Sequence, residues 1–179
     1  MPERFFHETV GNWEDWGRVF QSIPAFEPLV REIFRRECLP WEEMGPLTPG
    51  TNAVFRVGDF VAKVFFPRES GLDPLPDYEN EAAVCGRLTE LGLPTPRLIA
   101  RGSVDDRYRF YYLITEYFQG KEAGDWLPAA SPQEKAGFVL QLQNLLEQLN
   151  RPADGLIPRV DLLRRAVENP RLSSLAPSL

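Results

Sequence analysis

Apolar residues early in the chain recur at helical spacing. Trp13, Trp16 and Phe20 fall at i, i+3 and i+7, and Phe26, Leu29, Val30, Ile33 and Phe34 continue a one-sided pattern. Pro24 divides the run and Pro40 stops it, which predicts two helices between residues 12 and 39. From Leu47 the period changes to two. Residues 54–57 and 60–66 are rich in β-branched and aromatic side chains. Gly58-Asp59 between them is a two-residue turn that tolerates positive φ, so a hairpin is predicted. Alternation along its second strand sets Val61, Lys63 and Phe65 on one face and Ala62, Val64 and Phe66 on the other.

Pro67, Gly71, Pro74 and Pro76 mark residues 67–77 as a loop. A helix is predicted over 78–91, with Ala82, Cys85, Leu88 and Leu91 along one side and Gly92 at its cap. Strands over 97–104 and 108–117 follow, joined by Asp105-Asp106, and Gly120 and Gly124 open a loop. Ser131-Pro132-Gln133-Glu134 is a helix start, with Pro in the first turn and an acid three places after the Ser. That helix runs to about Asn150, with Phe138, Leu142, Leu145, Leu146 and Leu149 on its apolar side. A short helix is expected over 161–168. Strands separated by one helix point to an α+β fold, an antiparallel sheet with that helix on one face.

Composition narrows the function classes. Hydrophobic residues make up 43% of the 179, enough for a packed core and against general disorder. The net charge of −6 comes with no basic face, so no nucleic-acid partner is expected. No stretch approaches the roughly 18 apolar residues a membrane helix needs. The start of the chain does not read as a signal peptide, and a cytoplasmic location is the expectation. Cys38 and Cys85 lie in apolar helical patterns and are expected as buried free thiols. The sole histidine, His7, makes a structural zinc site improbable.

Four features carry candidate chemistry. Gly50-Thr51-Asn52 sits at the mouth of the hairpin, where successive backbone N–H groups can bind an anion; the same residues also read as an ordinary turn. Lys63 stands among large apolar neighbours, as an edge-strand charge or as a cation over a ligand's phosphates. Glu81 lies beside the apolar side of the next helix, and an inward carboxylate needs a partner. Lys63 is the natural one, and Glu79 competes with Glu81 for it. Residues 115–120 leave a strand for a Gly-containing connection, offering free backbone groups beside an apolar pocket, as recognition of an adenine edge requires. A Walker phosphate loop is set aside, because Gly120-Lys121 is followed by Glu122 and Thr115 takes the place of the first glycine.

A glycine turn, a strand Lys, a helix Glu and a strand-to-linker exit, in that order, make up the N-lobe of a protein-kinase-like fold. Gly50-Thr51-Asn52-Ala53-Val54-Phe55-Arg56-Val57 resembles the nucleotide-binding loop of aminoglycoside phosphotransferase-like kinases. Residues 81–88, then Leu91-Gly92-Leu93-Pro94-Thr95-Pro96-Arg97-Leu98, and the hinge-like Leu113-Ile114-Thr115-Glu116-Tyr117-Phe118-Gln119-Gly120 extend the resemblance over roughly residues 45–150. It implies a sheet of about five strands with one packed helix, preceded by N-terminal helices. The implied organisation is an N-terminal helical segment over 1–44, a nucleotide-binding lobe over 45–120, and a hinge exit with a partial helical C-lobe over 121–179. It also implies ATP as cofactor, with Mg2+ in the full-length enzyme, and a small-molecule hydroxyl as phosphate acceptor. Backbone amides around Gly50, Thr51 and Asn52 would cover the phosphates. Lys63 would hold phosphate oxygens, Glu81 would orient Lys63, and Val61 would pack on the adenine. Backbone groups near Glu116 and Phe118 would bind the adenine edge.

The chain departs from the family in one respect. The family's His-Gly-Asp loop, with Asn five residues after the Asp and a further Asp for magnesium, has no counterpart. Asp161 is followed at that distance by Ala166, and Asp154 by Arg159. A truncated chain with no catalytic residue and no metal ligand of its own is the expectation. A non-catalytic nucleotide-binding or regulatory module pairing with another chain is the alternative, as is a structural α+β domain in which Lys63 and Glu81 form a packing pair. An exposed lobe interface would favour self-association.

Overall fold

The structure is a computed structural model that describes residues 4–48 and 50–149. The helix expected over 161–168 lies outside them. Helices α1 (Trp13–Val19) and α2 (Ile23–Arg36) precede β1 (Met44–Pro46), β2 (Ala53–Val57) and β3 (Phe60–Val64). Then come α3 (Leu75–Glu90), β4 (Leu98–Asp105), β5 (Arg109–Glu116), a single turn of helix α4 (Ala123–Trp126) and α5 (Pro132–Leu149). Short 3-10 turns follow β3 and α4. The strands form one antiparallel sheet in the order β1-β2-β3-β5-β4, the α+β arrangement expected.

Local chemistry sets the element ends. Asn12 caps α1 by accepting the Asp15 N–H at 2.9 Å. Pro24 does not lie between the two helices but sits in the first turn of α2, where its missing N–H has no helical partner to lose. α2 ends before Pro40. The Leu39 N–H reaches back to the Phe34 carbonyl and the Cys38 N–H to that of Arg35, a Schellman closure that places Cys38 at φ +54. Cys38 is therefore exposed and Cys85 half-buried, not buried as their apolar neighbours suggested. α3 begins three residues earlier than the prolines implied, with Pro76 in its first turn, and it closes with the same geometry around Gly92 at φ +66. The Ser131–Glu134 capping box forms in full: the Ser131 N–H donates to Glu134 at 2.8 Å and the Glu134 N–H donates to the Ser131 hydroxyl.

The sheet buries its two faces differently. Ala53, Phe55 and Val57 of β2, Ala62 and Val64 of β3, and Phe110, Tyr112 and Ile114 of β5 turn to one side. They share a single core there with Phe6, Trp16, Phe26, Leu29 and Phe34 from the N-terminal helices and the segment before them. That segment is tied down by the Phe5 and Phe6 N–H groups donating to Asp106 and by Val10 N–H donating to Tyr108. The opposite face holds a smaller cluster, Phe65, Ala82 and Leu113, under α3. Tyr78 of α3 stacks on Tyr111 of β5 at 4.9 Å. The apolar side expected of α5 is largely exposed among the described residues, Leu142, Leu146 and Leu149 included.

Two positions in the larger core yield predictions. A Cβ on Gly102 would stand 2.6 Å from the Tyr112 hydroxyl, and that hydroxyl donates to Glu37. Burial first, then this hydrogen bond, push the Tyr112 hydroxyl well above its usual pKa. Gly102→Ala is expected to lower the unfolding free energy by about 1–3 kcal/mol in urea titration. Glu32 is buried on α2, and hydrogen bonds from Arg35 and then Arg36 lower its carboxyl from 4.5 to about 2. Because the folded value is the lower one, the stabilisation is full above about 4.5 and disappears as pH falls toward 2. Glu32→Gln should flatten the melting temperature against pH across that window and leave its slope at neutral pH unchanged.

Candidate functional site

β3 is the centre of the site because its alternation is fixed from behind. Ala62 and Val64 are buried against the helices, so Lys63 must leave on the other face, toward α3. Helix α3 presents Glu81 to the same space. Lys63 Nζ donates to Glu81 Oε2 at 2.5 Å, with the side chains 25% and 38% exposed. Glu79 is exposed, which settles the choice between the two acids. The Lys63 ammonium also stands 5.2 Å from the centroid of the Phe65 ring. One helical turn beyond Glu81, burial first and the Glu81 charge second push the Cys85 thiol up, with Lys63 opposing. A protonated, half-buried thiol is a poor nucleophile.

The sequence-selected residues gather around this pair in three groups. Gly50, Thr51 and Asn52 form the connection between β1 and β2. The Thr51 carbonyl accepts the Trp16 indole N–H at 2.8 Å. The buried Asn52 side chain accepts the Phe66 N–H at 3.3 Å, tying the connection to the end of β3. No contact with a described residue demands glycine at position 50. Its φ is not in the left-handed region, and an added Cβ would meet nothing within 4 Å. Val61 is half-buried on the Lys63 face, opposite Thr115 of β5. At the exit of β5, Glu116 commits its N–H to the Arg97 carbonyl and its carboxylate to the Arg97 guanidinium at 2.8 Å. Phe118 is 58% exposed, and its N–H donates to no described residue.

Two further residues share this face and were not singled out from the sequence. Arg56 of β2 lies opposite Val61, with its guanidinium over the Tyr117 ring at 4.0 Å. The signal was available: alternation from Val54 and from Leu113 puts Arg56, Thr115 and Tyr117 on the face of Lys63.

The face therefore has two halves. Near Phe65 and Leu113 it is closed by α3. Val54, level with Lys63, and Arg56, Val61, Thr115 and Tyr117 toward the exit of β5 remain half-buried. An ammonium held by a carboxylate lies between the halves, with a backbone arch at one end and a free N–H at the other. Such a surface can take an elongated ligand, flat and apolar at one end and anionic at the other. Among the described residues, no cluster of His, Cys, Asp or Glu could hold a metal ion, and no helix is long and apolar enough to cross a membrane.

Compared with known families, residues 46–175 match a model described as "Phosphotransferase enzyme family". No curated protein matches the chain.

The exposure of the Lys63–Glu81 pair makes a prediction about stability. A partly solvated ion pair contributes little to folding, so a double-mutant cycle with Lys63→Met and Glu81→Gln should return a coupling below about 1 kcal/mol. A coupling of about 3 kcal/mol or more would mark the pair as a structural strut.

Proposed function

Since the chain belongs to the phosphotransferase enzyme family, we propose that its Lys63 face binds ATP and serves phosphoryl transfer to a hydroxyl of a small molecule. The observation that carries this reading is the meeting of Lys63 and Glu81 beside the Gly50 connection. Glu81 holds the ammonium on the cleft face, where it neutralises phosphate oxygens. The backbone N–H groups around Gly50, Thr51 and Asn52 add donors that carry no charge of their own. Val61 supplies the apolar ceiling for the base, and the Phe118 N–H with the backbone at Glu116 reads its edge. A ligand's close approach accounts for glycine at 50, since no described residue requires it.

Phosphoryl transfer depends on positioning and charge, and these residues supply only the nucleotide side of it. The 179 residues contain no His-Gly-Asp sequence, so the base that accepts the hydroxyl proton and the ligands of Mg2+ are assigned to no residue here. By itself the chain is expected to bind nucleotide without turning it over. The same observation favours a second reading, a nucleotide-binding module that works with another chain.

Thermal melts with and without Mg-ATP separate binding from folding. Wild type is expected to melt several degrees higher with ATP in large excess over its dissociation constant. Lys63→Ala should lose most of that shift. Gly50→Ala should melt as wild type alone and show a reduced shift, because its added methyl meets only the ligand. Equal shifts in all three proteins, or none in wild type, would overturn the nucleotide reading.

A further inference from the structure

Tyr117 opens the segment that leaves the sheet, and it is pinned to the turn of the β2–β3 hairpin. Its N–H donates to the Asp59 carbonyl at 2.9 Å. Its ring lies 4.0 Å from the Arg56 guanidinium carbon. Arg56 in turn donates from Nε to the Gly58 carbonyl at 2.8 Å, which ties the guanidinium to the hairpin turn. Among the described residues Arg56 takes no part in an ion pair, whereas arginines 18, 31, 35, 36, 68, 87, 97 and 109 do. The contact is thus a cation over an aromatic face, held in place by the Nε donor to Gly58, which a lysine lacks.

We propose that Arg56 is a positioning residue of the nucleotide cleft, clamping the hinge at Tyr117 to the β2–β3 turn. From Asn52, the last residue of the arch before β2, to Arg56 near the strand's hinge end is about 13 Å at the usual rise of a strand. One short rigid strand therefore carries the phosphate-covering amides at one end and the hinge clamp at the other. Arg56 acts through Tyr117, setting where the base-reading backbone stands relative to the arch. The inference rests on the nucleotide reading and adds a prediction about which portion of the ligand is affected. A clamp at the base end weakens ATP and adenosine by the same factor. On the nucleotide reading Lys63 meets the ligand only at its phosphates, so its loss is expected to weaken ATP alone.

Calorimetric titration of ATP and adenosine into the full chain, with Arg56→Gln, Arg56→Lys, Tyr117→Leu, Tyr117→Phe and Lys63→Ala, tests this. Arg56→Gln and Tyr117→Leu are expected to weaken both ligands by about tenfold. Tyr117→Phe, which keeps the ring, should stay within about twofold of wild type, and Arg56→Lys, which keeps a cation but loses the Nε donor to Gly58, should fall between wild type and Arg56→Gln. Hydrogen exchange at the Tyr117 amide gives a readout that needs no ligand: Arg56→Gln should speed it by about tenfold at unchanged melting temperature. Unchanged exchange overturns the clamp whether or not ATP binds. Binding by wild type with undiminished affinity in Arg56→Gln overturns the clamp and leaves the nucleotide reading standing. Weakening by Arg56→Gln without weakening by Tyr117→Leu also overturns it, in favour of direct contact between Arg56 and ligand. No ATP binding by wild type overturns the nucleotide reading.

Discussion

Strand alternation in β3 is the constraint from which the site follows. Ala62 and Val64 are locked into the core shared with the N-terminal helices, and β3 pairs without a bulge on both sides, so its side chains alternate. Lys63 then has one direction left. On that side the next element, α3, lays Tyr78 and Ala82 on the sheet, and Glu81 arrives at the ammonium as a consequence of the same docking. A one-residue slip of β3 would send Lys63 into the core and Ala62 toward α3. The Lys63–Glu81 pair is thus guarded by the burial of Ala62 and Val64 on the opposite face.

The N-terminal helices matter for the same reason. They cover the face of the sheet that α3 does not, and they brace the arch as well. Trp16 holds the Thr51 carbonyl, while Asn52 is held by the end of β3. Gly50 is exposed and an added Cβ there would meet no described residue within 4 Å, but Thr51 and Asn52 after it are both held. A loop anchored in this way keeps its N–H groups aimed at small entropic cost when an anion binds.

Much of this was legible in the sequence, where one local signal sufficed. The Gly58-Asp59 turn, the Ser131–Glu134 box and Gly92 each specify their element within four residues, and the structure bears out all three. Prolines were harder. Pro24, Pro74 and Pro76 read as breaks, yet the first turn of a helix tolerates proline: Pro24 and Pro76 sit inside the first turns of α2 and α3, and Pro74 immediately precedes α3. β1 has three residues, including a glycine and a proline, and carries no pattern to read. Cys38 looked buried because its helix is apolar, but the closing turn of that helix swings it outward. The choice of Glu81 over Glu79, and the seat of Arg56 on Tyr117, depend on contacts between residues far apart in sequence. The resemblance to aminoglycoside phosphotransferase-like kinases, borne out by the family match, bridged some of that distance.

The most direct test of the central claim asks which amine meets ATP's phosphates. The chain has only three lysines, Lys63, Lys121 and Lys135. An acyl-phosphate derivative of ATP transfers its acyl group to an amine lying at the phosphates, and mass spectrometry locates it. The account predicts acylation at Lys63 that excess ATP suppresses, with Lys121 and Lys135 labelled weakly and indifferent to ATP. Acylation spread evenly over the three lysines, or at Lys63 without competition by ATP, would contradict it.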